Sequence, residues 1–204
     1  MNFPQYFFQL PEAAGRAAFP TYRLADMCFL ASLLDQANKE TALNGAVAAG
    51  KATPGNNILV LLADDDCDER ELFEEGIAEI SKAIKVKSVE NGMQLMVMLN
   101  KREETLPAVI FLDLNMPGKS GKECLVEIRN NPRFKDIPVV IYSTSSNTRD
   151  IQDTHGNGAN LYVAKPNTFK GLVAVVTKVL SLDLDQLRSI PHINQFVISA
   201  DAVQ

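Results

Sequence analysis

Five short apolar runs, each followed by a segment with helical spacing, span residues 58–180 of this chain. The runs have the length of strands, and their β-branched and aromatic members are typical of strands buried on both faces. Strands that alternate with helices predict a parallel sheet covered by helices on both faces, and right-handed crossovers leave few topologies for it. The predicted strands are 58–63, 86–89, 109–112, 139–142 and 161–164, and the predicted helices are 68–82, 93–99, 122–129, 147–155 and 169–180.

The segments outside this pattern differ from it in composition. Residues 1–56 contain many alanines and several prolines but no strand pattern, and 23–39 have the apolar spacing of one amphipathic helix. We therefore predict a flexible N-terminal extension over 1–56 with a helix near 23–39, a folded domain over 57–182, and a C-terminal tail over 183–204 that is too short to be a second domain. An alternative role for the extension is a helix that docks onto a partner or a second copy of the chain.

Charge and cysteine content argue against several classes of function. The net charge of -5 gives no bulk attraction to nucleic acids or membranes. No apolar run approaches the roughly 20 residues that cross a bilayer. The cysteines Cys28, Cys67 and Cys124 are far apart, which is typical of reduced thiols and predicts a cytoplasmic protein. His155 and His192 are too isolated to form a metal cluster, and we expect both at the surface.

Polar side chains follow four of the five predicted strands. They are the aspartate triplet 64–66, Asp113, Ser143 and Lys165. Because the carboxyl ends of parallel strands meet at one edge of the sheet, we expect these groups to converge. Clustered carboxylates repel one another when ionised, and a hard dication with oxygen ligands relieves that repulsion. A site that has few carboxylates and is open to solvent suits Mg²⁺, which keeps several of its waters. It suits Ca²⁺ less well, because Ca²⁺ is usually surrounded by protein oxygens.

A carboxylate beside Mg²⁺ can act as a nucleophile towards phosphorus and form an aspartyl phosphate. The transition state of that reaction needs its equatorial oxygens neutralised. Mg²⁺ can contact one oxygen, the Lys165 ammonium a second, and the Ser143 hydroxyl with nearby backbone amides the third. These residue types at the sheet edge therefore suit a site that forms an aspartyl phosphate.

Four sequence motifs together resemble the CheY-like receiver domain of two-component response regulators. The resemblance covers about residues 57–181, and it implies a flavodoxin-like (βα)5 three-layer sandwich with a five-stranded parallel sheet in the order 2-1-3-4-5. The acidic start of the first helix also resembles stand-alone, single-domain regulators from Bacteroidetes-type bacteria. The motifs are LLADDD at 61–66, FLDLNMPG at 111–118, VVIYST at 139–144 and YVAKP at 162–166.

The resemblance implies a role for most of the polar residues at the sheet edge. Asp113 would accept the phosphoryl group from a histidine kinase or a histidine phosphotransfer protein. Asp65 would bind Mg²⁺ directly, Asp64 would bind it through water or as a second ligand, and Asn115 would offer its backbone carbonyl. Lys165 would contact the phosphoryl group once it is on Asp113.

The resemblance also implies a switch. Ser143 would take the position of the switch hydroxyl and Tyr162 that of the switch aromatic residue. Phosphorylation would draw the hydroxyl inward, change the Tyr162 rotamer and remodel the face of the fourth helix, fifth strand and fifth helix, which binds a downstream protein. Such a protein catalyses only its own phosphorylation and slow dephosphorylation. The sequence does not decide whether the chain forms a homodimer. Asn167 departs from the family, which often has an aromatic or apolar residue there.

Three other functions compete with this one. A P-loop at 118–120 would need glycine at position 113, where the chain has Asp113. A phosphatase of the haloacid dehalogenase type would need a second aspartate at position 115, where the chain has Asn115. The remaining alternative is a receiver-fold interaction module that works without phosphorylation. The intact acidic pair, Asp113, Ser143 and Lys165 argue against that module, which has no need to keep all of them.

Overall fold

The computed structural model describes residues 58–102, 105–182 and 187–199. The strands are β1 (Ile58–Ala63), β2 (Ile84–Val89), β3 (Val109–Leu112), β4 (Val139–Ser143), β5 (Leu161–Ala164) and β6 (Val197–Ile198). The helices include α1 (Cys67–Ile80), α2 (Gly92–Asn100), α3 (Gly121–Asn130), α4 (Thr148–Gly156), α5 (Phe169–Leu180) and the short α6 (Ile193–Phe196). Within these ranges, no helix is long and apolar enough to cross a membrane. The helix predicted at 23–39 lies outside the described residues.

All strand pairs are parallel, and the sheet has the order β2-β1-β3-β4-β5-β6. The predicted three-layer α/β class and the predicted order of the first five strands are confirmed. Alternate residues of a strand face opposite layers. Leu61 and Ile110 belong to a core cluster with α2 and α3, whereas Leu62 and Phe111 belong to a cluster with α1 and α5. The sheet therefore lies between two helical layers, and the carboxyl ends of its strands share one edge.

Side-chain caps determine where the helices begin after the strand ends. Asp66 caps α1 by accepting hydrogen bonds from the backbone amides of Asp68 and Glu69 at 2.9 and 3.3 Å. Ser120 and Glu123 form a reciprocal capping box on α3. The helices α1 to α5 each begin within one residue of the predicted start. These caps fix where each helix begins after its strand, while parallel pairing brings the strand-end residues to the same edge of the sheet.

The bounds of β2 differ from the prediction because the strand has a different burial pattern. β2 begins at Ile84, two residues before the predicted start. Exposed Lys85 and Lys87 alternate with more buried residues, as expected for a strand at the end of the sheet. The apolar run that the sequence shows is therefore only the second half of this strand.

The tail contributes a sixth strand, so the prediction of a five-stranded sheet is one strand short. β6 pairs with β5, with Val197 opposite Tyr162. Phe196 is fully buried in the α2–α3 cluster, and Ile198 and Leu187 belong to the opposite cluster. A strand of two residues is too short to carry a detectable alternation of apolar and polar residues. Residues 187–199 therefore complete both sides of the core.

Candidate functional site

The acidic triplet after β1 is divided by the start of α1. Asp64 is 1% exposed, its backbone amide donates to the Val89 carbonyl at 3.0 Å, and its carbonyl accepts from the Arg70 guanidinium at 2.8 Å. Asp65 is exposed, and Asp66 is the side-chain cap of α1. The three carboxylates therefore have different surroundings, and only Asp64 lies inside the protein.

Asp113 follows β3 and is 4% exposed. Its backbone amide donates to the Ala63 carbonyl at 2.9 Å, which continues the pairing with β1. Its Oδ2 accepts a hydrogen bond from the Asn115 backbone amide at 2.8 Å. Gly121 closes the loop onto this residue, because a Cβ there would lie 2.0 Å from the Asp113 carbonyl oxygen. Only glycine permits so close an approach of two backbone segments.

Lys165 connects the two buried carboxylates. Its side chain is 7% exposed, and Nζ lies 2.6 Å from Asp64 Oδ2 and 3.9 Å from Asp113 Oδ1. Burial raises the pKa of Asp64 above its ordinary value of 3.8, although the Lys165 ammonium opposes this shift. The structure thus brings together three of the residues that were predicted from three different strand ends.

Ser143 and Tyr162, the two predicted switch residues, are both fully buried. Ser143 Oγ accepts a hydrogen bond from the Ser145 backbone amide at 3.3 Å, and the Tyr162 hydroxyl donates to the Ser145 carbonyl at 2.7 Å. Burial raises the pKa of the Tyr162 phenol above its ordinary value of 10.0, which is consistent with its role as a hydrogen-bond donor. The loop after β4 therefore contacts both switch residues through the backbone of Ser145.

An ion pair between α3 and α4 supports the same loop. Lys122 Nζ lies 2.8 Å from Asp150 Oδ1 and 2.9 Å from Asp153 Oδ2. The other oxygen of Asp150 accepts a hydrogen bond from Ser145 Oγ at 2.7 Å. The Lys122 ammonium and then this hydroxyl lower the pKa of Asp150 below its ordinary 3.8. Ser145 is thus held by Asp150 through its side chain while its carbonyl binds Tyr162.

Tyr142 is a site neighbour that the sequence analysis did not identify. Lys165 Nζ lies 5.4 Å from the centroid of its ring. Tyr142 pairs with Val163 in the register of β4 and β5, and residue 165 faces the same side of the sheet as residue 163. Strand register could therefore have revealed the contact, but the sequence shows only an aromatic residue within an apolar run.

The expectation that both histidines lie at the surface holds only in part for His155, which is half-buried. Its Nε2 lies 2.9 Å from the Pro191 carbonyl oxygen, and its ring packs edge-on against Phe196 with 4.9 Å between centroids. His192 is exposed, as expected. The difference arises because the tail covers His155, and the sequence did not predict where the tail packs.

The residues predicted to bind a metal offer oxygen atoms, which are the ligands of hard dications. Asp64 and Asp113 share the single ammonium of Lys165, so this trio has a net negative charge when both acids are ionised. That charge and the type of donor atom suit a divalent cation, but within the described ranges the carboxylate oxygens of Asp64, Asp65 and Asp113 do not all lie within 4.8 Å of one another. Asp66, Cys67 and Asp68 form a different, exposed group whose possible ligand atoms lie within 4.8 Å of one another. Since Asp66 is occupied as a helix cap, this second group is explained by the start of α1.

Comparisons with known proteins agree with this geometry. A family model described as the response regulator receiver domain matches residues 60–177. Response regulator Rcp1 of Synechocystis sp. is 31% identical over 131 residues, covering 62% of this chain and 89% of Rcp1. The structure of the phosphorylated cyanobacterial phytochrome response regulator RcpA is 32% identical with a TM-score of 0.59, covering 63% of this chain and 95% of RcpA. The Mn²⁺-bound form of Rcp1 is 29% identical with a TM-score of 0.58, covering 66% and 99%.

Proposed function

Because this chain belongs to the response regulator receiver family, we propose that Asp113 accepts a phosphoryl group from a phosphohistidine in a two-component phosphorelay. The observation that carries the proposal is the arrangement of charges at the strand ends. A buried Asp113 carboxylate has one oxygen bound by a backbone amide and the other 3.9 Å from the Lys165 ammonium. Burial of a carboxylate is costly unless it is paired and hydrogen-bonded, and these two groups supply the partners.

Asp113 Oδ1 is the nucleophile in this proposal. The Asn115 amide binds Oδ2, so Oδ1 is the oxygen that remains to attack phosphorus. The bond from Oδ1 to phosphorus forms as the P–N bond of the donor phosphohistidine breaks, and the electron pair of that bond stays on the imidazole nitrogen. Lys165 then neutralises a phosphoryl oxygen.

A divalent cation, for which we propose Mg²⁺, would be held by Asp64, Asp65 and Asp113 and by the backbone carbonyl of Asn115. When bound, the cation neutralises negative charge on the carboxylates and on the phosphoryl group. The net negative charge of Asp64, Asp113 and Lys165 supports this assignment, as does the Mn²⁺-bound form of the related Rcp1.

The phosphorylated state would be transmitted through Ser143 and Tyr162. Because both contact the backbone of Ser145, a Ser143 hydroxyl drawn towards the phosphoryl group would move the loop that binds Tyr162. The tail occupies part of the predicted output face of α4, β5 and α5, because β6 pairs with β5 and Phe196 packs beside Tyr162. We propose that the output surface consists of α4, α5 and the tail strand β6 that lies along β5. The phosphoryl donor would be a histidine kinase or a histidine phosphotransfer protein, and the recipient of the signal a downstream protein in the cytoplasm.

Intact-mass spectrometry after incubation with Mg²⁺ and acetyl phosphate tests this function. The wild-type chain should gain the mass of one phosphoryl group, and the Asp113→Asn variant should gain none, because an amide is not a nucleophile of this kind. Asp136→Asn is the matched control, since Asp136 is exposed and away from the strand-end loops, and it should behave as wild type. No gain in the wild type, or an equal gain in Asp113→Asn, would leave the phosphorylation-independent interaction module as the better account.

A further inference from the structure

The Lys165 ammonium lies over the ring of Tyr142, a residue that has no role in the phosphoryl transfer proposed above. The distance of 5.4 Å from Nζ to the ring centroid is within the range of a cation–π interaction. The pairing of Tyr142 with Val163 and the alternation of side chains along a strand place residues 142 and 165 on the same face of the sheet. The contact is therefore a consequence of strand register rather than of a chance rotamer.

The ring of Tyr142 is held by packing on its other sides. Phe73 and Phe111 pack edge-on against it, with 5.6 and 6.2 Å between centroids. Tyr142 is 1% exposed, and its hydroxyl has no hydrogen-bond partner within the described ranges. Packing rather than hydrogen bonding therefore orients the ring. A cation–π contact is strongest when the ammonium is desolvated, and the Lys165 side chain is 7% exposed.

Lys165 must change partners if Asp113 is phosphorylated. In this structure its ammonium is 2.6 Å from Asp64 and 3.9 Å from Asp113, so it has to move away from Asp64 to reach a phosphoryl oxygen. During that exchange neither carboxylate holds the ammonium in a fixed position. The ammonium is moving away from Asp64, and Asp113 is gaining the phosphoryl group. The attraction of the ring quadrupole for the ammonium does not depend on the charge of the two carboxylates, and it acts wherever the ammonium stays within about 6 Å of the ring centroid.

We propose that Tyr142 is a positioning residue for phosphoryl transfer, whose ring keeps the Lys165 ammonium inside the site while it exchanges from Asp64 to the phosphoryl oxygens. The inference rests on the proposed function of Asp113. The aromatic ring has this role and the hydroxyl does not. Phenylalanine at position 142 should therefore position Lys165 as well as tyrosine does. A residue that only fills the core beside Phe73 and Phe111 would change stability without acting through Lys165.

A double-mutant cycle on the full chain tests the proposal. The rate of phosphorylation by acetyl phosphate with Mg²⁺ is measured by intact mass for wild type, Tyr142→Phe and Tyr142→Leu, each with Lys165 and with Lys165→Met. Tyr142→Met serves as a second aliphatic variant should the leucine variant unfold. The removal of a desolvated cation–π contact should slow the aliphatic variants by about fivefold or more, while Tyr142→Phe stays within about twofold of wild type. With Lys165→Met, the tyrosine and its aliphatic replacements should react at the same rate.

A spectroscopic readout that needs no phosphorylation accompanies the cycle. The ring current of Tyr142 should shift the Lys165 ε-proton resonances upfield in wild type and Tyr142→Phe, and this shift should disappear in Tyr142→Leu. Aliphatic variants that react as fast as wild type, or that are slowed equally with and without Lys165, would overturn the positioning role while Asp113 remains a phosphoacceptor. A wild-type chain that takes up no phosphate would instead refute the proposed function, and the inference with it.

Discussion

Tyr142 and Tyr162, both beside the site, are equally buried, but only the Tyr162 hydroxyl forms a hydrogen bond within the described part of the chain. Both are fully buried, and burial raises the pKa of each phenol above its ordinary value of 10.0. The Tyr162 hydroxyl donates to the Ser145 carbonyl at 2.7 Å, whereas the Tyr142 hydroxyl has no partner among the described residues. A buried polar group without a partner destabilises the fold, because it loses its hydrogen bonds to water and gains none.

The two hydroxyls should therefore affect stability in opposite directions. We expect Tyr142→Phe to raise the free energy of unfolding by about 1 kcal/mol and Tyr162→Phe to lower it by about 1 kcal/mol. Urea denaturation of both variants, followed by circular dichroism, measures the difference. If Tyr142→Phe proved as destabilising as Tyr162→Phe, the Tyr142 hydroxyl would have a partner that this account does not include.

At the scale of secondary-structure elements, the tail segment with α6 and β6 packs as part of the domain. Phe196 is fully buried, with its ring centroid 6.1 Å from that of Tyr162 and 4.9 Å from that of His155. The Asn160 side-chain amide also donates to the Arg188 carbonyl at 3.0 Å. The tail thus touches the predicted switch aromatic residue directly.

Removal of the Phe196 ring should destabilise the whole domain. We expect Phe196→Ala to lower the free energy of unfolding by about 3 to 5 kcal/mol, the usual effect of a cavity left by a buried phenylalanine. Val197→Ala is the matched control, since Val197 is 42% exposed in the next position, and its effect should stay below about 1 kcal/mol. Equal effects of the two substitutions in denaturant titrations would mean that the tail does not pack as described.

The ion pair between Lys122 of α3 and Asp150 of α4 predicts that the free energy of unfolding depends on pH. A carboxyl whose pKa is lowered in the folded state stabilises the protein above its unfolded-state pKa, and this contribution is lost as the pH falls through the folded-state pKa. Lys122→Met should return the pKa of Asp150 towards 3.8, so the stability difference from wild type should shrink as the pH falls below about 4.

NMR titration of the Asp150 carboxyl and urea denaturation across this range measure both effects. The exposed Lys82→Met variant is the control, and the Asp150 carboxyl should titrate in it as in the wild type. A stability difference between Lys122→Met and wild type that stays constant down to pH 2 would exclude Asp150 as its source.

For the whole molecule, the sequence predicted those features that depend on local pattern. β1 and β3 to β5 are buried on both faces, so their apolar runs stand out, and parallel pairing then requires Asp64, Asp113 and Lys165 to meet at one edge. The contacts that depend on strand register, or on packing between residues far apart in the chain, could not be predicted from the sequence. The Tyr142 ring beneath Lys165 follows from β4–β5 register, and the position of Phe196 follows from a strand of two residues that carries no pattern of its own.

The location of the phosphoryl group within the whole chain tests the central claim most directly. The chain of residues 1–204 is phosphorylated with acetyl phosphate and Mg²⁺. Borohydride reduction then converts an aspartyl phosphate to homoserine, which peptide mass spectrometry locates. The account predicts that this conversion occurs at position 113 in the wild type and disappears in Asp113→Asn, while Asp64 and Asp65 remain aspartate. Conversion at another carboxylate, or a phosphorylated chain with unaltered Asp113, would contradict it.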